Sequence, residues 1–148
     1  MDADALAIPE GFELVDHTGP FLREVGPLYY RREGEELTVG LRLAERHSNS
    51  RGVVHGGMLL AMADTALGMA LYHSRVPPQP IATVSLNAEF LDSALPGDWV
   101  EAKVEILRIG SRLAYANCLL YVGARRVMRA AGVFALMRPK HPQEESDG

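Results

Sequence analysis

"HSNSRGVVHGGMLLAMADTALG", residues 47–68, is the stretch that decides how this chain folds. It opens polar, passes through His55-Gly56-Gly57, then runs apolar from Gly56 to Tyr72, interrupted only by Asp64 and Thr65. Met, Leu and Ala are strong helix formers, so the segment from about Gly57 to Tyr72 reads as the best helix in the chain. Its apolar residues cover nearly the whole circumference, and a helix of that kind has to be enveloped by other elements. One carboxylate buried in such a segment costs several kcal/mol unless it is paired. The i±3 and i±4 neighbours of Asp64 are Leu60, Ala61, Leu67 and Gly68, and none can pair with it. Either Asp64 is not buried, or something depends on it.

The rest of the chain supplies strands. "GPLYYRREGEELTVGLRLAE" reads as two strands joined at Glu33-Gly34, the second presenting Leu37, Val39, Leu41 and Leu43 on one face. "RVPPQP" ends the helix, because proline lacks a donor and restricts the residue before it. Extended segments follow at Ile81–Leu91, Trp99–Ile109, Leu113–Val122 and Arg126–Met137. Turns are expected at Pro96-Gly97-Asp98, Gly110-Ser111 and Gly123-Ala124-Arg125. Short connections favour antiparallel pairing. The economical arrangement is an α+β fold, a curved antiparallel sheet wrapped around one long central helix. Gly68, inside that helix, is expected to let a strand or a partner's backbone come close.

Composition narrows the function classes. A chain of 148 residues with 47% hydrophobic and 23% charged residues is one ordinary globular domain. A formal charge of −4 gives no reason to expect nucleic acid or an anionic membrane as partner. The apolar run is at the short end of the ~17–25 residues a membrane span needs, and it contains Asp, Thr and glycines. Cys118 has no second cysteine to pair with, and a cytoplasmic location is expected. "MDADALAIPEGF" has no apolar core, so no signal peptide is expected. Residues 1–25 read as a partly loose extension, 26–138 as the domain, and 139–148 as a disordered polar tail.

Four residues around the helix start could carry chemistry. The first-turn N–H groups at His55-Gly56-Gly57 lack intrahelical partners and sit at the positive end of the dipole. Glycine lets a ligand oxygen come against that backbone, giving the donors of an oxyanion hole. Asn49 offers a further amide donor, and Asp64 a base or nucleophile made more reactive by apolar surroundings. Each also has a plainer reading. The glycines can be a simple turn, Asn49 a loop former, and His55 a structural histidine bonded to nearby backbone. Asp64 is the hardest to dismiss. The remaining histidines, His17, His47, His73 and His141, lack metal-site spacing, and neither a nucleophile elbow nor a phosphate-binding loop occurs in the sequence. Neither metal nor cofactor is expected. Cys118 reads as core and Trp99 as packing at a strand start.

"NSRGVVHGGMLLAMADTALGMA" closely resembles the N-x-x-G-x-V-H-G-G-x(6)-D segment of hotdog-fold acyl-CoA thioesterases of the phenylacetate-degradation type. "TVSLNAEFLDSALPGDWVEAKVEILRIGSRLAYANCLLY" resembles the strands that follow it in that family, and the likeness extends from Gly26 to Met137. The resemblance implies an acyl-CoA hydrolase with coenzyme A as part of the substrate. Asn49 and the Gly56 N–H would polarise the thioester carbonyl, and Asp64 would act as nucleophile or general base. A Ser or Thr on the next strand assists in relatives, and Thr83 matches it. Gly57 would line the substrate site, and Arg108, Ser111 and Arg112 in "RIGSR" would meet coenzyme A phosphates unless they are only a solvated hairpin end. A non-catalytic acyl-CoA-binding domain and an enoyl-CoA hydratase or dehydratase are the rival readings on the same fold. Gly56 and Asp64 stand eight positions apart, ~12 Å along a helix, too far for one copy to serve one carbonyl. A homodimer, or a homotetramer built from such dimers, is therefore expected.

Overall fold

The computed structural model describes residues 7–138; the expected tail at 139–148 and the first six residues lie outside them. Its elements are β1 (Glu13–Leu14), α1 (Pro20–Val25), β2 (Tyr29–Glu33), β3 (Glu36–Arg42), a 3₁₀ turn at Glu45–His47 and α2 (Gly56–Tyr72). They continue with β4 (Ile81–Phe90), β5 (Trp99–Ile109), β6 (Leu113–Val122) and β7 (Arg125–Leu136). All seven strands form one antiparallel sheet in the order β1-β2-β3-β5-β6-β7-β4. The connection through α2 carries the chain from the middle of the sheet to its far edge. The helix therefore lies across one face of the sheet, against β3 and β5 to β7 as well as β4. This is the hotdog architecture expected from the sequence.

Packing accounts for the strand pattern. Leu37, Val39, Leu41 and Leu43 are all buried in the core with Leu59, Met62, Ala63, Ala66, Leu67 and Leu71 of α2. The opposite face of β3 is covered too. Trp99 lies across Gly40 so closely that a Cβ there would fall 2.2 Å from its ring. Phe12 meets Trp99 edge-on at 5.1 Å, which ties the N-terminal segment to the outside of the sheet. Buried Cys118 has its thiol pushed by burial up to about 12, which leaves it without thiolate character near neutral pH.

The envelope around α2 is one-sided within a single chain. Leu60, Ala61, Asp64, Thr65, Gly68 and Met69 are only partly covered, and Tyr72 is exposed. Among the described residues no strand backbone lies against Gly68, one of the two close approaches expected there, a partner's backbone being the other. The nearest atom to a Cβ placed there is the Ile81 side-chain tip at 3.4 Å.

Candidate active site

Asp64 escapes the cost of burial by position. It sits on the flank of α2 that the sheet leaves half open, and it accepts a hydrogen bond from Thr83 Oγ1 to Oδ1 at 2.7 Å. That length suits a hydroxyl bonded to a carboxylate. Thr83 comes from β4, and the pairing of β4 with β7 slips by one residue just after it, where Thr83 faces Phe134 and Ser85 faces Val133. Such a bulge re-aims side chains, and here Thr83 is turned toward the helix. Asp64 and Thr83 open onto a cavity of about 1010 Å³. Its walls are mainly apolar, including Leu14, Val15, Leu22, Met69, Ile81 and Phe134.

The second group of candidates gathers at the start of α2. His55 is the N-cap, its Nδ1 accepting the Gly57 N–H at 2.8 Å, while its carbonyl takes the N–H of Met58 at 2.9 Å. The ring nitrogen that could have served as a base is thereby occupied as a cap. Among the described residues Gly56 N–H has no partner, so it is the donor left for a ligand. The loop before it folds back on itself. Asn49 N–H bonds Val53 O at 2.8 Å, and Ser48 bridges Val54. Gly52 makes that turn with a φ of 83°, a conformation side-chain-bearing residues rarely adopt. Asn49 Oδ1 accepts the Arg51 N–H at 2.9 Å, which orients the amide and leaves its NH₂ for donation.

The structure thus sorts the predicted residues into three places. Asp64 and Thr83 meet at the cavity. Asn49, His55, Gly56 and Gly57 cluster two turns away at the helix start, and none of them lines that cavity. Arg108, Ser111 and Arg112 lie exposed around the β5–β6 hairpin, also away from it. Sequence reading missed the cavity wall built by Leu14, Val15, His17, Thr18 and Leu22, because no motif marks that segment. Among the described residues no cluster of His, Cys, Asp and Glu could hold a metal.

A paired carboxylate at the mouth of an apolar cavity, with unspent donors at the start of the same helix, is equipment for acyl transfer. The family model described as the thioesterase superfamily matches residues 51–128, from the turn before His55 into β7. The chain belongs to the thioesterase superfamily. Within it, the chain is 42% identical over 130 residues to the Pseudomonas aeruginosa protein named "Putative esterase PA0474", covering 87% of this chain and 97% of that one. It is 29% identical over 83 residues to mouse acyl-coenzyme A thioesterase 13, covering 56% of this chain and 59% of that one. Among solved structures, the Escherichia coli PaaI protein of the phenylacetic acid degradation operon superposes with a TM-score of 0.74 at 15% identity. That match covers 82% of this chain and 87% of PaaI and speaks for the fold. Thioester hydrolysis is the general chemistry of this superfamily.

A buried histidine ties down the loop that leads into α2. His47, 4% exposed, accepts the Ala44 N–H at Nδ1 (2.9 Å) and donates from Nε2 to Val25 O (2.6 Å). Its carbonyl takes the His55 N–H at 2.8 Å. These bonds require the neutral ring with its proton on Nε2. Burial pulls its pKa below the ordinary imidazole value, and Arg46 adds to that, against the opposing pull of the Val25 bond. The unfolded chain binds this proton near pH ~6.5 and the folded chain resists it, so the stability His47 contributes is intact above that pH. It falls away as pH drops below it, toward the lowered folded value. Urea midpoints measured at pH 7.5 and 5.5 are expected to differ more in the wild type than in His47→Gln. An equal pH dependence in both would show that His47 is not the linked group.

Proposed function

We propose that the chain is an acyl-CoA thioesterase that hydrolyses an acyl-CoA to the free acid and coenzyme A. The observation that carries this reading is the Asp64–Thr83 hydrogen bond at the mouth of the 1010 Å³ cavity. The similarity to mouse acyl-coenzyme A thioesterase 13 supports the coenzyme A thioester as substrate. Asp64 either takes a proton from the attacking water and passes it to the departing sulfur, or attacks the carbonyl carbon to form a mixed anhydride that water then hydrolyses, regenerating the carboxylate. In both routes the C–S bond breaks and the sulfur leaves as the coenzyme A thiol, its proton supplied by that water. The Gly56 N–H and the Asn49 amide stabilise the oxyanion, a charge that exists mainly in the transition state. Thr83 holds Asp64 in place. No step is assigned to a metal or cofactor.

These groups act together only across two chains. Asp64 and Gly56 are ~12 Å apart along α2, so one carbonyl cannot reach both in one copy. A two-fold dimer brings Gly56 of one subunit to Asp64 of the other. The part of the α2 flank that does not line the cavity, half-covered Leu60 and Ala61, supports such a partner, and so does the edge of β4, where Val84 and Phe90 are exposed. A tetramer of two such dimers satisfies the same geometry. We place the enzyme in the cytoplasm, the reading that its single cysteine supports; no helix among the described residues is long and apolar enough to cross a membrane.

The test is release of free thiol from a panel of acyl-CoAs, followed with a thiol-trapping dye. Thiol release dependent on the protein is the expected result. Tight acyl-CoA binding without thiol release would mean a binding domain. Loss of enoyl-CoA absorbance without thiol release would mean a hydratase.

A further inference from the structure

Asp64, Gly68 and Tyr72 are spaced i, i+4 and i+8, so they share one face of α2, and all three line the cavity. From Asp64 the cavity therefore follows the helix for about 12 Å toward its C-terminal end. Gly68 is the unexpected residue on that face. Glycine weakens a helix interior relative to alanine, so its presence there calls for a gain elsewhere. A Cβ at this position would touch only the Ile81 tip at 3.4 Å, an ordinary contact, so no atom of the fold forbids a side chain. What glycine leaves there is open cavity.

The opposite wall is the N-terminal segment. β1 pairs with β2 through Leu14 and Tyr29, and Val15 N–H bonds Leu28 O at 2.9 Å. Tyr30 adds a bond from its hydroxyl to Glu13 at 2.8 Å. These ties hold Leu14, Val15 and Leu22 against the cavity. The surface of the lining is mostly apolar and suits hydrocarbon better than the phosphates of coenzyme A, which need cations; Arg32 is the only Arg or Lys among the described lining residues.

We propose that Gly68 and the segment from Leu14 to Leu22 form the floor and the outer wall of an acyl channel. In this channel the tail runs from Asp64 toward Tyr72, which makes the enzyme selective for apolar tails of medium length over acetyl. The proposal rests on Asp64 cleaving the thioester. Gly68 is a specificity-determining position, and a side chain there shortens the channel from within.

The experiment measures kcat/KM by thiol release for acetyl-, butanoyl-, hexanoyl-, octanoyl- and dodecanoyl-CoA, with wild type, Gly68→Leu, Gly68→Ala and Leu14→Ala. Wild type is expected to favour octanoyl over acetyl at least tenfold. Gly68→Leu should lower that ratio about tenfold or more, since one surplus methylene in an apolar pocket is worth ~10–200-fold. Gly68→Ala should move it the same way by less, with a raised melting temperature, and Leu14→Ala should weaken the preference by opening the wall. If Gly68→Leu does not fold, Gly68→Ala decides, and an unchanged ratio overturns the proposal. A flat chain-length profile in wild type also overturns it, with hydrolysis intact. Equal slowing of every acyl-CoA in Gly68→Leu would mean the cavity holds the pantetheine arm, and likewise overturns it. Absence of thiol release from every wild-type reaction would overturn the thioesterase reading and this inference together.

Discussion

Asp64→Asn is expected to lower thioester turnover by at least ~10²-fold while the protein stays folded. Asparagine keeps the shape of the side chain and an oxygen that can accept the Thr83 hydroxyl, so the 2.7 Å link between α2 and β4 survives. What is lost is the charge and the basic or nucleophilic oxygen. Asp64 lies among apolar residues of α2 with no cation bonded to it, so removing its charge costs no ion pair among the described residues. The melting temperature should be unchanged or higher, as commonly happens when an active-site group held for chemistry is replaced. Affinity for a non-hydrolysable acyl-CoA analogue should change far less than turnover, because asparagine keeps the shape of Asp64 and the apolar walls of the cavity are untouched. Thiol release, analogue binding and thermal melts on the same samples check all three. Near wild-type turnover in Asp64→Asn would remove Asp64 from the chemistry, and a lost fold would make it structural.

The central helix and the four strands after it could be read from sequence because their signals are long and local. α2 fills Gly56–Tyr72, and β5 and β6 keep the bounds that their turns suggested. Residues 47–64 show the spacing of Asn49, Gly56 and Asp64 for the same reason, as it is set by one turn and two helical turns. β1, with two residues, and α1, with six, carry too little periodicity to announce themselves. The packing of Phe12 on Trp99 depends on residues 87 positions apart, and nothing local encodes it. His47 looked like an unassigned histidine, and only the folded chain shows it joining Ala44, Val25 and His55. Gly68 was legible as an anomaly; the strand expected against it is absent among the described residues and the position lines the cavity, since a cavity and a close approach leave the same mark in a sequence. The one-sided cover of α2 is the other lesson. An all-round apolar helix predicts full envelopment, and one chain supplies half of it.

Mixing two inactive variants, Asp64→Ala and Gly56→Pro, is expected to restore roughly a quarter of wild-type activity if each site is shared between two subunits. The variants remove different groups. Alanine deletes the carboxylate, and proline deletes the Gly56 N–H. The backbone is ready for that proline, because the first helical position tolerates a missing N–H. His55 before it already holds φ −60° and ψ 131°, the extended conformation a residue preceding proline requires. The new ring would press on Phe90, whose ring lies 3.1 Å from a Cβ at Gly56, so the fold and the dimerisation of Gly56→Pro alone are checked first. The helix cap from His55 Nδ1 to Gly57 N–H does not involve the replaced residue's N–H, so it remains. Random pairing makes about half of the dimers mixed, and each mixed dimer holds one site with both groups and one with neither. Intact sites are then roughly a quarter of the total. The variants are unfolded and refolded together, mixed dimers are counted by distinct affinity tags, and thiol release is compared with each variant refolded alone. Recovery in proportion to the mixed dimers assigns the oxyanion donor and the carboxylate of each site to different chains. No recovery with mixed dimers present would place both groups in one chain's site, and the two-fold arrangement would fall.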